Sequence, residues 1–185
     1  DNTLEIQCGG GFFVQKERVA EGKMSYADRV RCIFNLKTDE NIIFSDGSES
    51  WIESNIRKSS LFIGEEIDMN FVDTEPKKVN IVTLPDSVLT PADGANDKII
   101  RNITPKVIKK ADGCAVYDIG ENISGLLSLT TAAPAGASYS VRFSELIDEN
   151  NDLDFLSTGS NYTGTSGKAQ MMADVFISNG ERNEF

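Results

Sequence analysis

The stretch Ser138-Tyr139-Ser140-Val141-Arg142-Phe143-Ser144 alternates polar and apolar side chains at every step. Because successive side chains of a β-strand point to opposite faces, this alternation predicts a strand with one face toward a core and the other toward water. Residues 30–37 repeat the pattern, with a predicted inner face made of Val30, Cys32, Phe34 and Leu36. Composition and turn spacing predict further strands at 12–14, 41–45, 48–53, 79–84, 115–119, 125–131 and 173–178.

Turn sequences separate these predicted strands. Asp46-Gly47 lies between two short apolar runs and predicts a hairpin, and Ala111-Asp112-Gly113 predicts another turn. Helical patterning is weak: residues 17–28 contain helix formers but no continuous apolar stripe. Many short strands separated by turns favour an all-β fold built from antiparallel β-sandwiches, of jelly-roll or concanavalin-like type.

Proline marks a predicted domain boundary. Four of the five prolines lie between residues 73 and 110. Since proline cannot donate a hydrogen bond to a sheet, this segment is expected to hold edge strands and a connector. The sequence therefore predicts two β-sandwich domains, a truncated jelly roll over 1–88 and a second sandwich over 89–185.

Charge and composition exclude several classes of function. The 185 residues contain 18 Lys and Arg against 29 Asp and Glu, and the net charge is -11. An acidic surface repels phosphate backbones and anionic lipid, so nucleic acid and membranes are not expected partners. The chain has no histidine, which excludes Ser-His and Cys-His nucleophile pairs from these residues.

The cysteines Cys8, Cys32 and Cys114 are widely spaced. No Cys-x-x-Cys motif is present, which argues against zinc ribbons and thioredoxin-like redox motifs. Each cysteine lies in an apolar or strand-like run, and we expect each to be a small buried apolar residue. A Cys8–Cys32 disulfide stays an open alternative, and no metal or cofactor is expected.

Neighbouring carboxylates in Gly64-Glu65-Glu66-Ile67-Asp68 are candidates for acid–base chemistry. On a strand, however, only Glu66 and Asp68 would share a face. A structural or solvent-exposed role is the preferred interpretation, with a catalytic carboxylate pair as the alternative.

The run Asp148-Glu149-Asn150-Asn151-Asp152 begins like a calcium-binding loop. Its sixth position is Leu153 instead of glycine, and its twelfth is Gly159 instead of glutamate. We therefore expect a solvated turn and not an EF-hand.

Two aromatic residues are candidates for sugar stacking. Trp51, the single tryptophan, lies between Glu49 and Glu53, and aromatic faces beside carboxylates suit pyranose rings. Tyr162 is the second candidate. For Trp51, ordinary packing is the competing interpretation.

The segment Val116-Tyr117-Asp118-Ile119-Gly120-Glu121-Asn122-Ile123-Ser124-Gly125 opens a series of motifs that continues at 134–137, 142–146, 148–149 and 173–177. Upstream, 4–13, 44–47, Trp51 and 64–68 precede it in one collinear order. This series resembles the bacterial α-L-rhamnosidases of glycoside hydrolase family 78. The resemblance covers nearly the whole chain.

The resemblance implies a fragment that comprises most of the N-terminal jelly roll and the adjoining β-sandwich of such an enzyme. In that family the catalytic carboxylates lie in a helical (α/α) barrel, which we do not expect in this chain. The parent would hydrolyse terminal α-L-rhamnose with inversion. The fragment itself is expected to be inactive, with the barrel as its partner.

Three functions remain open from the sequence. The first is a non-catalytic accessory region that packs on the barrel and shapes its cleft. The second is a carbohydrate-binding module for rhamnose-containing glycans that uses the weak candidates Trp51, Glu66, Asp68 and Tyr162. The third is an enzyme that uses Glu65, Glu66 or Asp68. A bacterial protein that is periplasmic or secreted is expected in preference to a cytoplasmic one.

Overall fold

The computed structural model describes residues 3–11, 13–14, 26–61, 63–83, 90, 94, 97–154 and 173–185. These residues form twelve β-strands and no helix, which confirms the all-β class. The strands are β1 (Asn35–Lys37), β2 (Ile42–Phe44), β3 (Ser50–Trp51), β4 (Ile56–Ser60), β5 (Gly64–Asp68), β6 (Lys77–Lys78), β7 (Lys106–Ala111), β8 (Cys114–Asp118), β9 (Thr130–Thr131), β10 (Ser138–Val141), β11 (Asp174–Ile177) and β12 (Asn183–Glu184).

The largest sheet of the described residues has four strands in the order β10-β11-β5-β4. β10 and β11 are antiparallel, and so are β4 and β5, whereas β11 and β5 are parallel, with Ile67 opposite Phe176. This parallel pair departs from the predicted antiparallel pairing, because strands so far apart in sequence need no hairpin. Two strands from each side of residue 88 thus share one sheet. The division into 1–88 and 89–185 stays a prediction.

A close backbone approach joins the two central strands. Gly64 has φ +90°, and a Cβ placed on it would lie 2.7 Å from both the carbonyl carbon of Ala173 and Asp174 Oδ1. Asp174 Oδ1 accepts a hydrogen bond from the Glu65 amide at 3.0 Å. Ala173 N–H donates to the Ile63 carbonyl at 3.2 Å. The sequence therefore needs glycine at position 64 to let β5 meet β11.

The core of the described residues lies around β11. Phe176 is 7% exposed, and its ring centroid is 4.6 Å from that of Phe185. Ser178, just after β11, is fully buried, and its hydroxyl donates to the Ala133 carbonyl at 2.8 Å. The Ser178 carbonyl accepts from Asn70 Nδ2 at 3.0 Å. Polar contacts therefore tie the end of β11 to segments on both sides of the sheet.

The remaining strands form two-stranded sheets, and one of them corrects the predicted hairpin at Asp46-Gly47. The turn is present, with Gly47 at φ +92°. However, β2 pairs with β1 and β3 pairs with β6, so the strands that flank this turn do not pair with each other. Glu49 accepts hydrogen bonds from the Asp46 and Gly47 amides at 3.1 and 2.9 Å. Its carboxylate, and not a strand ladder, closes the turn.

Several predicted strands are confirmed in shortened form, among them 41–45, 115–119, 138–144 and 173–178. The prediction for 30–37 is wrong over most of its length: only Asn35–Lys37 is a strand, and Leu36 is exposed. β1 can extend no further than its three-residue partner β2. Residues 13–14 lie in a turn, and 79–83 lie beyond β6 without strand pairing. Residues 12 and 84 lie outside the described residues.

Candidate functional site

Trp51 is held at a defined angle on β3. It lies opposite Lys77 of β6 in the antiparallel β3–β6 pair. The Lys77 ammonium is 4.7 Å from the ring centroid, a cation–π contact, and the indole N–H donates to the Lys78 carbonyl at 3.3 Å. The residue is nevertheless 45% exposed. A fixed and partly open aromatic ring is the geometry that a sugar-stacking platform needs.

Charged side chains surround this ring. Lys77 Nζ lies 3.0 Å from Asp73 Oδ2 and 3.6 Å from Glu53 Oε1. Arg57 bonds Glu53 Oε2 through both terminal nitrogens at 3.0 Å. We refer to Trp51, Glu53, Arg57, Asp73 and Lys77 as the Trp51 cluster. It offers carboxylate acceptors and cationic donors beside one aromatic face.

The Trp51 cluster has fixed charges near neutral pH. The Glu53 amide donates to Asp73 at 2.9 Å, and together with Lys77 and the Glu75 amide it lowers the pKa of Asp73 to about 2. The hydrogen bond from Lys77 to Asp73 in turn raises the pKa of Lys77. Neither group exchanges a proton near neutral pH, so this pair is suited to recognition and not to acid–base catalysis.

The β5 carboxylates lie in a different sheet from Trp51. Glu66 and Asp68 are half-buried and share one face of β5, as the strand alternation predicts, while Ile67 points to the opposite face. Glu65, on the Ile67 face, accepts a hydrogen bond from the Ser59 hydroxyl at 2.9 Å. The structure therefore assigns Trp51 and the Glu66–Asp68 pair to separate sheets.

Asp68 has a structural role at the end of β5. Its Oδ1 accepts hydrogen bonds at 2.9 Å from both the amide and the side chain of Asn70. The same Asn70 side chain donates to the Ser178 carbonyl. Asp68 thus orients Asn70 across the β5–β11 junction. Tyr162, the last of the four predicted sugar-binding residues, lies outside the described residues.

The acidic loop at 148–152 closes on itself. Asp148 Oδ1 accepts from the amides of Asn150 at 2.8 Å and Asp152 at 2.9 Å, and the Asp152 and Asn150 amides hold the pKa of Asp148 below its usual range. Lys109 forms an ion pair with Asp152. Among the described residues, no group of three or more His, Cys, Asp or Glu side chains is placed to hold a metal ion.

All three cysteines are exposed free thiols, so the expectation that they are buried is wrong. Cys8 belongs to an exposed stretch at residues 3–9, and Cys114 opens β8 at the rim of its hairpin, where neither has a second layer over it. The described part of the chain also contains no helix long and apolar enough to cross a membrane.

Sequence reasoning singled out Trp51 and missed Asp73 and Lys77. The spacing of Asp73 and Lys77 gives no signal for a site near Trp51, since the β3–β6 pairing that brings them there is non-local. The alternation of Glu49, Trp51 and Glu53 along one strand was the available signal for Glu53.

Comparison with known proteins places the C-terminal part of the chain in a family. Residues 108–185, which contain β8 to β12 and most of β7, match the family model described as the bacterial alpha-L-rhamnosidase concanavalin-like domain. No curated protein and no solved structure matches the chain. Residues 108–185 therefore belong to the concanavalin-like domain family of bacterial α-L-rhamnosidases, which confirms the resemblance of the sequence to these enzymes.

Proposed function

We propose that this chain is a non-catalytic accessory region of a bacterial α-L-rhamnosidase that packs against the catalytic helical barrel of the same parent. The single observation that carries the proposal is the family match over residues 108–185. The β5 carboxylates support it, because Glu65 and Glu66 point to opposite faces and Asp68 is engaged by Asn70. Such an arrangement does not provide the facing acid and base of an inverting glycosidase.

An exposed apolar surface supports the packing part of this proposal. Leu126 is 91% exposed and Ile100 is 89% exposed. The ion pair between Arg101 and Glu121 holds the two stretches that carry them side by side. We call the residues Ile99, Ile100, Ile123, Leu126 and Leu127 the apolar surface. Exposed apolar groups of this kind mark sites of protein contact.

The test uses the parent rhamnosidase with Leu126→Asp and Ile100→Asp together. If the apolar surface contacts the barrel, the double variant lowers the melting temperature of the barrel and its turnover of 4-nitrophenyl α-L-rhamnoside. The control is Val72→Asp, an apolar residue that is 75% exposed elsewhere in the chain. Equal effects of the double variant and the control contradict the packing proposal. Turnover by the isolated chain contradicts its non-catalytic part.

Carbohydrate binding is the second candidate, favoured by the Trp51 ring that Lys77 holds partly open. Under this alternative the ring stacks on rhamnose-containing glycans and the Trp51 cluster bonds their hydroxyls. Calorimetry with rhamnose and a rhamnoside panel tests it. Saturable heat that Trp51→Ala abolishes, while the exposed aromatic control Tyr117→Ala retains it, supports binding. No heat with any sugar contradicts it.

We also propose that the parent is periplasmic or secreted, as its substrate class suggests. Fractionation of cells that carry an epitope-tagged parent gene tests this. Signal only in the cytosolic fraction contradicts it.

A further inference from the structure

Two of the three free thiols lie together. The Cys8 and Cys32 side chains are in hydrogen-bonding contact although 24 positions separate them, 32 minus 8. Both residues are exposed. We propose that Cys8 and Cys32 form a dithiol site that small-molecule disulfides oxidise to an intramolecular disulfide. This inference is independent of the proposed accessory role.

The first half of the site is anchored to the four-stranded sheet. Gln7 Nε2 donates to the Ser54 hydroxyl at 3.2 Å, and Ser54 Oγ accepts from the amide of Ile56, the first residue of β4, at 3.1 Å. A Cβ placed on Gly9 would lie 4.0 Å from Ser59 Oγ. The residues on both sides of Cys8 therefore lie along β4.

The second half is anchored to the β1–β2 pair. Phe34, two residues after Cys32, donates from its amide to Ser45 Oγ at 3.4 Å, and its carbonyl accepts from the Ser45 amide at 3.1 Å. The contact between the thiols therefore bridges two separately anchored segments. A disulfide there would link the lead-in to β1 with the edge of the four-stranded sheet.

The two thiols have different roles in the exchange. Burial and the neighbouring Cys8 raise the pKa of Cys32, so Cys32 keeps its proton longer. The thiolate of Cys8 attacks one sulfur of the small disulfide, which forms a mixed disulfide and expels one thiolate. Cys32 then loses its proton and attacks the Cys8 sulfur, which expels the second thiolate. The protein loses two electrons and two protons, and the small disulfide is reduced to two thiols.

The disulfide would stabilise the chain by closing a loop. Cross-linking positions 8 and 32 restricts the unfolded chain, and for a loop of this length we expect a rise in melting temperature of about 10 °C. In an oxidising compartment the disulfide would be the resident form.

The test treats the whole reduced chain with oxidised glutathione and maps its peptides by mass spectrometry without reduction. The expected product is a Cys8–Cys32 cross-linked peptide pair, two hydrogens lighter than the reduced pair, with Cys114 outside the cross-link. Cys114→Ser is the matched control and should give the same cross-link and the same rise in melting temperature.

The single variants Cys8→Ser and Cys32→Ser should stop at the mixed disulfide with glutathione and show no such rise. Because the peptide map uses the unchanged chain, the result stands even if a variant fails to fold. The proposal is overturned if Cys8 and Cys32 are each glutathionylated without a cross-link, or if Cys114 cross-links as often as they do.

Discussion

Gly64 lies directly against the backbone of Ala173, so close that a side chain at position 64 would collide with the Ala173 carbonyl group. The two residues come from opposite ends of the chain. Their contact begins the parallel pairing of β5 with β11, which continues from Glu66 opposite Val175 to Asp68 opposite Ile177. The segment that matches the rhamnosidase concanavalin-like domain thus shares a sheet with strands outside the match.

This contact predicts that Gly64→Ala destabilises the chain strongly. The new Cβ meets backbone of the neighbouring strand, which cannot rotate away as a side chain can. We expect a loss of about 3 kcal/mol or more in the free energy of unfolding, measured by urea denaturation. Gly113→Ala is the matched control, because Gly113 has φ +76° but open space around it, and should cost only about 1 kcal/mol. Equal losses would contradict the close approach.

Phe176 is predicted to be the principal apolar contributor to the core of the described residues. Removal of its buried ring also removes the partner of Phe185. Phe176→Ala should lower the free energy of unfolding by about 3–5 kcal/mol. Phe44→Ala removes an equal side chain from an exposed position on β2 and should cost less than about 1 kcal/mol. A similar loss for both variants would show that the core lies elsewhere.

Ser178 is predicted to matter through its hydroxyl and not its bulk. The hydroxyl donates to the Ala133 carbonyl and accepts from the Gly180 amide at 3.1 Å. Ser178→Ala leaves both groups without their partner in a buried place, so we expect a loss of about 1–3 kcal/mol. Exposed Ser138 is the control, and Ser138→Ala should change the stability by less than about 0.5 kcal/mol. A loss no larger than that of the control would contradict this role.

Asp73 predicts an acid-sensitive Trp51 cluster. Its pKa is lowered to about 2 in the folded chain, against about 3.9 in an unfolded one. The stabilisation is therefore fully present above about pH 4 and is lost as the pH falls toward 2. Asp73→Asn should lower the melting temperature at pH 7 and flatten its fall between pH 4 and 2. Asp112→Asn, which removes the same charge from the β7–β8 turn, should leave that slope unchanged. An unaltered slope in Asp73→Asn contradicts the assignment.

The sequence predicts the strands whose own side chains alternate, and it predicts less well what they pair with. The alternation at 138–144 and the apolar run at 173–178 lie in β10 and β11 as predicted. The partner of β11 comes from residues 64–68, and no local pattern encodes a pairing across more than a hundred residues. Residues 30–34 show the reverse case, since good alternation forms no strand where β2 is too short to pair with them.

The same distinction applies to the candidate site. Trp51 could be selected by residue type, and its exposure agrees with that choice. Lys77 and Asp73 join it only through the β3–β6 pairing. The shared face of Glu66 and Asp68 follows from strand periodicity, but the engagement of Asp68 by Asn70 depends on a turn that the period does not encode.

The central claim is that β5, from the N-terminal half, completes the sheet of the rhamnosidase concanavalin-like segment. The most direct measurement is the set of interstrand backbone NOEs in the NMR spectrum of the isotope-labelled chain. We predict contacts between residues 66–68 and 175–177 in parallel register, together with slow exchange of the Val175, Phe176 and Ile177 amides. NOEs that join 174–177 to 138–141 alone, with rapid exchange along residues 64–68, would contradict the claim.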